Sequence, residues 1–327
     1  MTTTPPNILF AMADQLRWNA LSHADPSSAV RTPSLDRIAS EGARVRFSWS
    51  STPTCTPARA ALLTGRRPWG HGMLGYGAVA EHYPLVFPRL LRDAGYTTVS
   101  LGKDHFGWNQ TSDSGVAHGY QRTSLYDGLG SWKADAPNHW DGEYDDYDRW
   151  FQTQMPGVDP SATLDPLDGD GWNGWHGRAY VYEERLHPTA WLGAQAVRFL
   201  HAHQPADPPF LLKVSFHRPH SPYDPPQRLL STICAQDLPP MARCVPSTAA
   251  SSPSSPTSPS ASSSPSPATA ADCWSTRFRG NASLSDPPGC EVAPDAWCGQ
   301  MPEEAATFGR RAYLASVAFV DEQVIAC

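Results

Sequence analysis

Three short apolar runs separated by helix-period segments constrain this chain more than any other feature. Asn7–Met12 reads NILFAM, Thr97–Leu101 reads TTVSL and Phe210–Phe216 reads FLLKVSF. Compact runs of this kind suit strands buried on both faces. Between them the apolar period changes to that of a helix. Thr32-Pro33 offers an N-cap followed by proline at the first helical position; Leu35, Ile38 and Ala39 form a stripe, and Gly42 ends it. A second helix runs through Phe87, Leu90, Leu91 and Ala94 to Gly95, directly before the TTVSL strand. A third, Pro188–His203, carries Leu192, Ala196, Phe199 and Leu200 on one face, and a last one, about Pro302–Ala326, carries Phe308, Ala312, Ala315 and Phe319. Strands alternating with helices predict an α/β fold with a mainly parallel central sheet and helices on both faces.

Each predicted strand ends in polar residues. Asp14 and Gln15 follow the first, Lys103 and His105 the second, His217 and His220 the third. Open α/β sheets bind ligands at the carboxyl ends of their strands. One polar residue after a strand is ordinary, but three such endings on one rim suggest a metal-assisted site for an anion.

Residues 246–271 belong to no fold: eleven serines and six prolines with no charge and no large aliphatic residue predict disorder. A linker, a glycosylated or protein-binding segment, and non-natural coding sequence are the open readings. The expected organisation is an α/β domain over 1–245, this Ser/Pro-rich segment over 246–271, an irregular cysteine-containing insert over 272–300, and a helix over 301–327 that returns to the α/β domain. Cys234, Cys244, Cys273, Cys290, Cys298 and Cys327 lie around or after the Ser/Pro stretch, and disulfides or chance explain them equally well.

The charge balance, 25 basic against 32 acidic residues, gives −7 and disfavours nucleic acid as a partner. Nowhere do eighteen apolar residues follow one another, so no membrane span is expected. The start, MTTTPPNILFAMAD, lacks a basic region and its apolar run ends at Asp14; no convincing secretory signal is read there, and the location is undecided, cytoplasmic by default. Residues 105–187 hold six of the twelve tryptophans and more acidic than basic residues. A stacking surface for a sugar or aromatic alcohol and ordinary packing are both open. Asp165, Asp168 and Asp170 resemble a loose calcium loop whose spacing fails after Asp170, so they are read as a turn.

The segment Ser51–Arg66, STPTCTPARAALLTGR, carries the nucleophile candidate. Cys55 sits in a Ser/Thr/Pro turn just before an apolar helix that begins near Pro57 and ends by Gly65, where the helix dipole favours an anion. Arg59, one turn on, is within reach of position 55. A buried structural cysteine is the competing reading.

Cys55-Thr56-Pro57-Ala58-Arg59, with Leu63-Thr64-Gly65-Arg66, resembles the signature of the sulfatase family. Three further stretches, in the family's order, extend the resemblance: ILFAMADQL, with Gln15 where many members have a second aspartate; Leu101-Gly102-Lys103-Asp104-His105; and Ser215–Tyr223, SFHRPHSPY. The resemblance implies an alkaline phosphatase-like fold and hydrolysis of sulfate esters, the substrate being a small-molecule or carbohydrate sulfate ester. It implies that a separate formylglycine-generating enzyme oxidises Cys55 to formylglycine, whose hydrate attacks sulfur while bound to one divalent cation, usually Ca2+. Asp14, Gln15 and position 55 would hold the metal. Arg59 and Lys103 would absorb charge on the transferring group, His105 would act as base, and His220 would contact the sulfate or protonate the leaving oxygen. His217 stands behind them. A phosphonate or phosphodiester hydrolase of the same superfamily, and a non-catalytic fragment, are the alternatives.

The final helix resembles the one that precedes the family's next core strand, which brings the second half of the metal site. The chain stops at Cys327, and Asp321 and Glu322 lie within the helix. The expectation is therefore a C-terminally incomplete copy that binds calcium poorly and hydrolyses little by itself.

Overall fold

The computed structural model describes residues 5–75, 82–105, 118–127, 145–158, 160, 177–238 and 303–326. The Ser/Pro-rich stretch, the cysteine-containing insert and the Asp165–Asp170 turn lie outside the described residues, as do all the later cysteines except Cys234.

Among the described residues four strands form one parallel sheet: β1 (Ile8–Ala13), β2 (Thr97–Gly102), β3 (Arg122–Leu125) and β4 (Phe210–Phe216), in the order β1-β4-β2-β3. The three apolar runs are β1, β4 and β2, side by side. Their register brings their ends level, with Ala13 opposite Phe216 and Gly102 opposite Ser215. The residues that follow therefore share one rim. β3 is short and polar, RTSL, and carried no apolar signal.

Strand β4 shows how one sequence serves a core and a site. All seven of its residues are buried. Phe210, Leu212, Val214 and Phe216 face one way, into the cluster with Trp191, Leu192 and Ala196. Full burial of such side chains contributes about 1.5–3 kcal/mol each. The opposite face runs from Leu211, packed with Ala60 and Leu63, through Lys213 to Ser215. Lys213 forms an ion pair with Asp104. Burial pulls its ammonium below the usual lysine range while Asp104 opposes that. A buried pair of this kind adds little net stability, so the apolar face carries the fold and the polar face is available for chemistry.

Helices α1 (Pro33–Glu41), α2 (Cys55–Thr64), α3 (Pro68–His71), α4 (Phe87–Asp93), α5 (Asp146–Gln154), α6 (Pro188–Ala202), α7 (Gln227–Cys234) and α8 (Glu303–Ala326) surround the sheet. α2 and α4 pack on the Leu211 face, α5 and α6 on the other. None is long and apolar enough to cross a membrane. The predicted stripe of α1 needs correction: Ile38 is 54% exposed. This helix is docked by its end instead, the Asp321 carboxylate of α8 accepting from the amides of Ser34 (3.1 Å) and Leu35 (2.9 Å). Those amides are otherwise orphaned at a helix N-terminus. Asp321→Ala is expected to cost about 1–2 kcal/mol, read as a lowered urea midpoint; an unchanged midpoint would refute the cap.

Candidate functional site

The nucleophile candidate is the first residue of α2 rather than a turn residue ahead of it. Thr54 precedes it in extended backbone and Gly65 closes the helix at φ 65°, its amide bonding Ala61 O. Cys55 is thus half-buried at the positive end of a ten-residue helix.

Its neighbours come from the strand ends. Asp14 continues β1, its amide bonding Phe216 O at 3.0 Å. Its Oδ2 lies 3.6 Å from Cys55 Sγ, 2.8 Å from Lys103 Nζ and 3.2 Å from Arg59 Nη2. Lys103 Nζ is also 3.7 Å from Cys55 Sγ. Burial opposes ionisation of Asp14, but Lys103, Arg59 and His220 outweigh it and hold the carboxyl far below the usual range. Arg59 was expected to reach back toward position 55. Its hydrogen bonds go elsewhere: Nη2 to Asp14, and Nη1 to Lys103 O (2.5 Å) and Ser215 Oγ (3.1 Å). The guanidinium thereby ties the ends of β1, β2 and β4 together.

Lys103 reaches the site because β2 and β4 approach closely at Gly102. Gly102 has φ 91°, and a Cβ there would collide with Ser215 O. Only glycine meets both demands at once. The Lys103 amide then bonds Ser215 O at 2.9 Å, and its side chain is fully buried.

After β4 the chain turns through His217, Arg218 and His220. Arg218 grips Asp224 with two bonds, Nε–Oδ1 at 2.6 Å and Nη2–Oδ2 at 2.7 Å, fixing the turn. His220 Nδ1 lies 2.7 Å from Ser221 O, so that nitrogen carries the proton and Nε2 keeps its lone pair in the neutral ring. The His217 ring stacks edge-on to His220 at 4.6 Å. Burial, then the charges of Lys103, His220, Arg218 and His105, push His217 well below the usual histidine range. It is a neutral prop.

Asp14, Cys55 and His220 offer ligand atoms within 4.8 Å of one another. The set holds one carboxylate, a thiol and an imidazole. It suits a hard cation only once position 55 presents oxygen. Gln15 stands apart: its side chain is exposed and makes no hydrogen bond among the described residues. Its backbone is at φ 55°, held by Tyr313 of α8, whose hydroxyl donates to Gln15 O (2.9 Å) and accepts from the Arg17 amide (2.8 Å). His105 is on the same rim, buried, at φ 50°. Of the tryptophans in 105–187, Trp150 packs with Tyr147 and Trp191, which is ordinary packing; Trp108, Trp132, Trp140, Trp172 and Trp175 lie outside the described residues.

A family model described as Sulfatase matches residues 6–324. An arylsulfatase of Clostridium perfringens is 33% identical over 239 residues, 72% of this chain and 47% of that protein. A steryl-sulfatase of Mus musculus is 39% identical over 114 residues, 32% of this chain and 18% of its own length. In fold, a phosphonate monoester hydrolase of Agrobacterium radiobacter superposes with a TM-score of 0.63 at 21% identity, covering 98% of this chain and 58% of that one. The chain spans about half the length of the arylsulfatase it matches. The architecture is α/β and alkaline phosphatase-like.

Proposed function

Because this chain belongs to the sulfatase family, we propose that it hydrolyses sulfate esters through a formylglycine derived from Cys55. The observation that carries this reading is the meeting of Cys55 Sγ with Asp14 Oδ2 at 3.6 Å and Lys103 Nζ at 3.7 Å, at the carboxyl ends of parallel strands.

Asp14 and the oxidised residue 55 would hold a divalent cation, proposed to be calcium, and Gln15 would join them only by turning its exposed side chain toward the site. A cation at that place would supply Lewis-acid polarisation of a sulfate oxygen and would favour ionisation of the hydroxyl on residue 55. The chain's own groups do the rest. Lys103 and Arg59 sit ready to take up charge on the sulfuryl oxygens, their orientation fixed before substrate arrives. His105 takes the proton when the hydrated aldehyde collapses and sulfate leaves. His220 Nε2, once protonated, donates to the departing alcohol oxygen. The substrate is a small-molecule or carbohydrate sulfate ester, and a formylglycine-generating enzyme is the required partner for maturation.

Parallel assays with the sulfate and phosphate monoesters of one phenol test the activity, alongside peptide mass spectrometry of the Cys55 segment. Preferred cleavage of the sulfate with an aldehyde at position 55 supports the reading. Preference for the phosphate ester, or two inert esters with the aldehyde present, overturns it. The donor set contains a single carboxylate among the described residues, and calcium affinity follows ligand charge. Calorimetric titration is thus expected to give a Kd above about 10⁻⁴ M; tight stoichiometric binding would contradict that ligand set.

A further inference from the structure

The buried carboxylate of Asp127 has no part in the chemistry above, yet its position in the fold is specific. It follows β3 after one residue, Tyr126, and the β3 end is anchored by two carboxylates at the start of α5. The Leu125 amide donates to Asp146 Oδ2 (2.7 Å) and the Asp127 amide to Asp145 Oδ2 (3.1 Å). Asp145 also caps α5, accepting from the Asp148 amide at 3.0 Å. Asp127, 3% exposed, in turn aims Oδ1 at the neighbouring strand end. That one oxygen accepts from the amides of both Asp104 (2.6 Å) and His105 (3.2 Å).

Two adjacent amides converge on one acceptor only where the backbone turns sharply, and His105 is left-handed at φ 50°. A non-glycine residue in that region is strained and persists only where its surroundings impose it. Asp127 supplies the imposition. Released, residue 105 would relax toward an ordinary backbone angle and its ring would leave the rim. Lys103 is two residues away but is tied separately, through its amide to Ser215 and its carbonyl to Arg59.

We infer that Asp127 is a positioning residue, holding the 103–105 turn so that the His105 imidazole stays at the reaction centre. This rests on the sulfatase reading for the role of His105, while the hold on the turn itself does not.

The test uses the full chain carrying Asp127→Ala, Asp127→Asn and His105→Ala, singly, and the alanine pair together. Asp127→Ala is expected to lower kcat for an aryl sulfate about 10–100-fold with KM changed less than about threefold. Asp127→Asn restores kcat to within about threefold, because its amide oxygen accepts the same two N–H groups. In the His105→Ala background Asp127→Ala adds little further loss. Hydrogen exchange at the Asp104 and His105 amides is expected to speed up at least about tenfold in Asp127→Ala, with α6 amides unchanged. Should the alanine variant fail to fold, Asp127→Ser, polar but too short to reach, replaces it with the same expectations. Unchanged kcat in an active enzyme, an equal loss with or without His105, or unaltered exchange at residues 104 and 105 would each overturn the inference. If the wild-type chain cleaves no sulfate ester, the functional reading fails alone and the exchange measurement still decides the positioning.

Discussion

Cys55→Ala is expected to reduce kcat for an aryl sulfate by at least about 10⁴-fold, in line with removal of other enzymatic nucleophiles. Stability is expected to stay within about 1 kcal/mol of the parent. The two expectations together separate a reactive residue from a structural one. The thiol is half-buried and sits at the first position of α2, where its side chain adds nothing to the helix ladder. What it touches, Asp14 Oδ2 and Lys103 Nζ, stays satisfied without it, since those two groups pair with each other at 2.8 Å and Arg59 adds a second cation to Asp14. Truncation therefore leaves no orphaned charge. Initial rates and urea unfolding on the same preparation check both halves. Retained activity would remove position 55 from the mechanism, and a large loss of stability would return it to the core.

The parts of this molecule legible in the sequence are those written as local patterns. β2 and β4 were visible because a strand buried on both faces needs an unbroken apolar run; β1 has the same kind of run but is only partly buried, with Leu9 43% exposed, so the expectation of burial on both faces fails for it. Their boundaries shifted only by a residue, with Ala13 and Gly102 added. α6 and α8 were visible for the same reason at the helical period. β3 was not, because RTSL, the outermost strand on its side among the described residues, is held by backbone pairing to β2 and by carboxylates of α5, and neither leaves an apolar trace. Ile38 misled, since periodicity reports a face without saying what packs on it. At the site, the convergence of residues 14, 55, 59, 103 and 220 followed from three strands ending on one rim plus one motif. The supports did not follow. Asp127, Tyr313 and Asp321 act on backbone amides or carbonyls far away in sequence, and such bonds require the fold before they can be seen. A carboxylate after a short polar segment was the faint signal for Asp127.

Asp224→Ala is expected to destabilise the protein by about 3–5 kcal/mol, the cost of stranding a buried charge. The guanidinium of Arg218 is 2% exposed and spends two of its donors on Asp224, with Tyr126 Oη at 3.2 Å and His217 Nδ1 at 3.1 Å taking another. Arg218 cannot shed its proton to escape burial, so removing the carboxylate leaves a cation under the sheet rim with neutral partners only. His187 is also affected. Its Nδ1 accepts from the Thr189 amide, which leaves the proton on Nε2, 3.4 Å from Asp224 Oδ1. Burial holds His187 below the usual histidine range, so it stays neutral and the loss there is a hydrogen bond. Asp224 itself is held far below the ordinary carboxylate range, because Arg218 and His187 outweigh the opposing effect of burial. A depressed folded pKa means the stabilisation is complete above the unfolded value, about 4, and is lost as the pH falls below it. The gap in unfolding free energy between parent and variant is therefore expected to be full at pH 7 and to narrow as the pH drops below about 4. Urea titrations at both pH values check this; a gap independent of pH would assign the loss to packing. Because the same grip fixes the turn from His217 to His220, kcat for an aryl sulfate is expected to fall with stability in Asp224→Ala. Asp224→Asn, which keeps an acceptor for Arg218 but no charge, is expected to lose less of both.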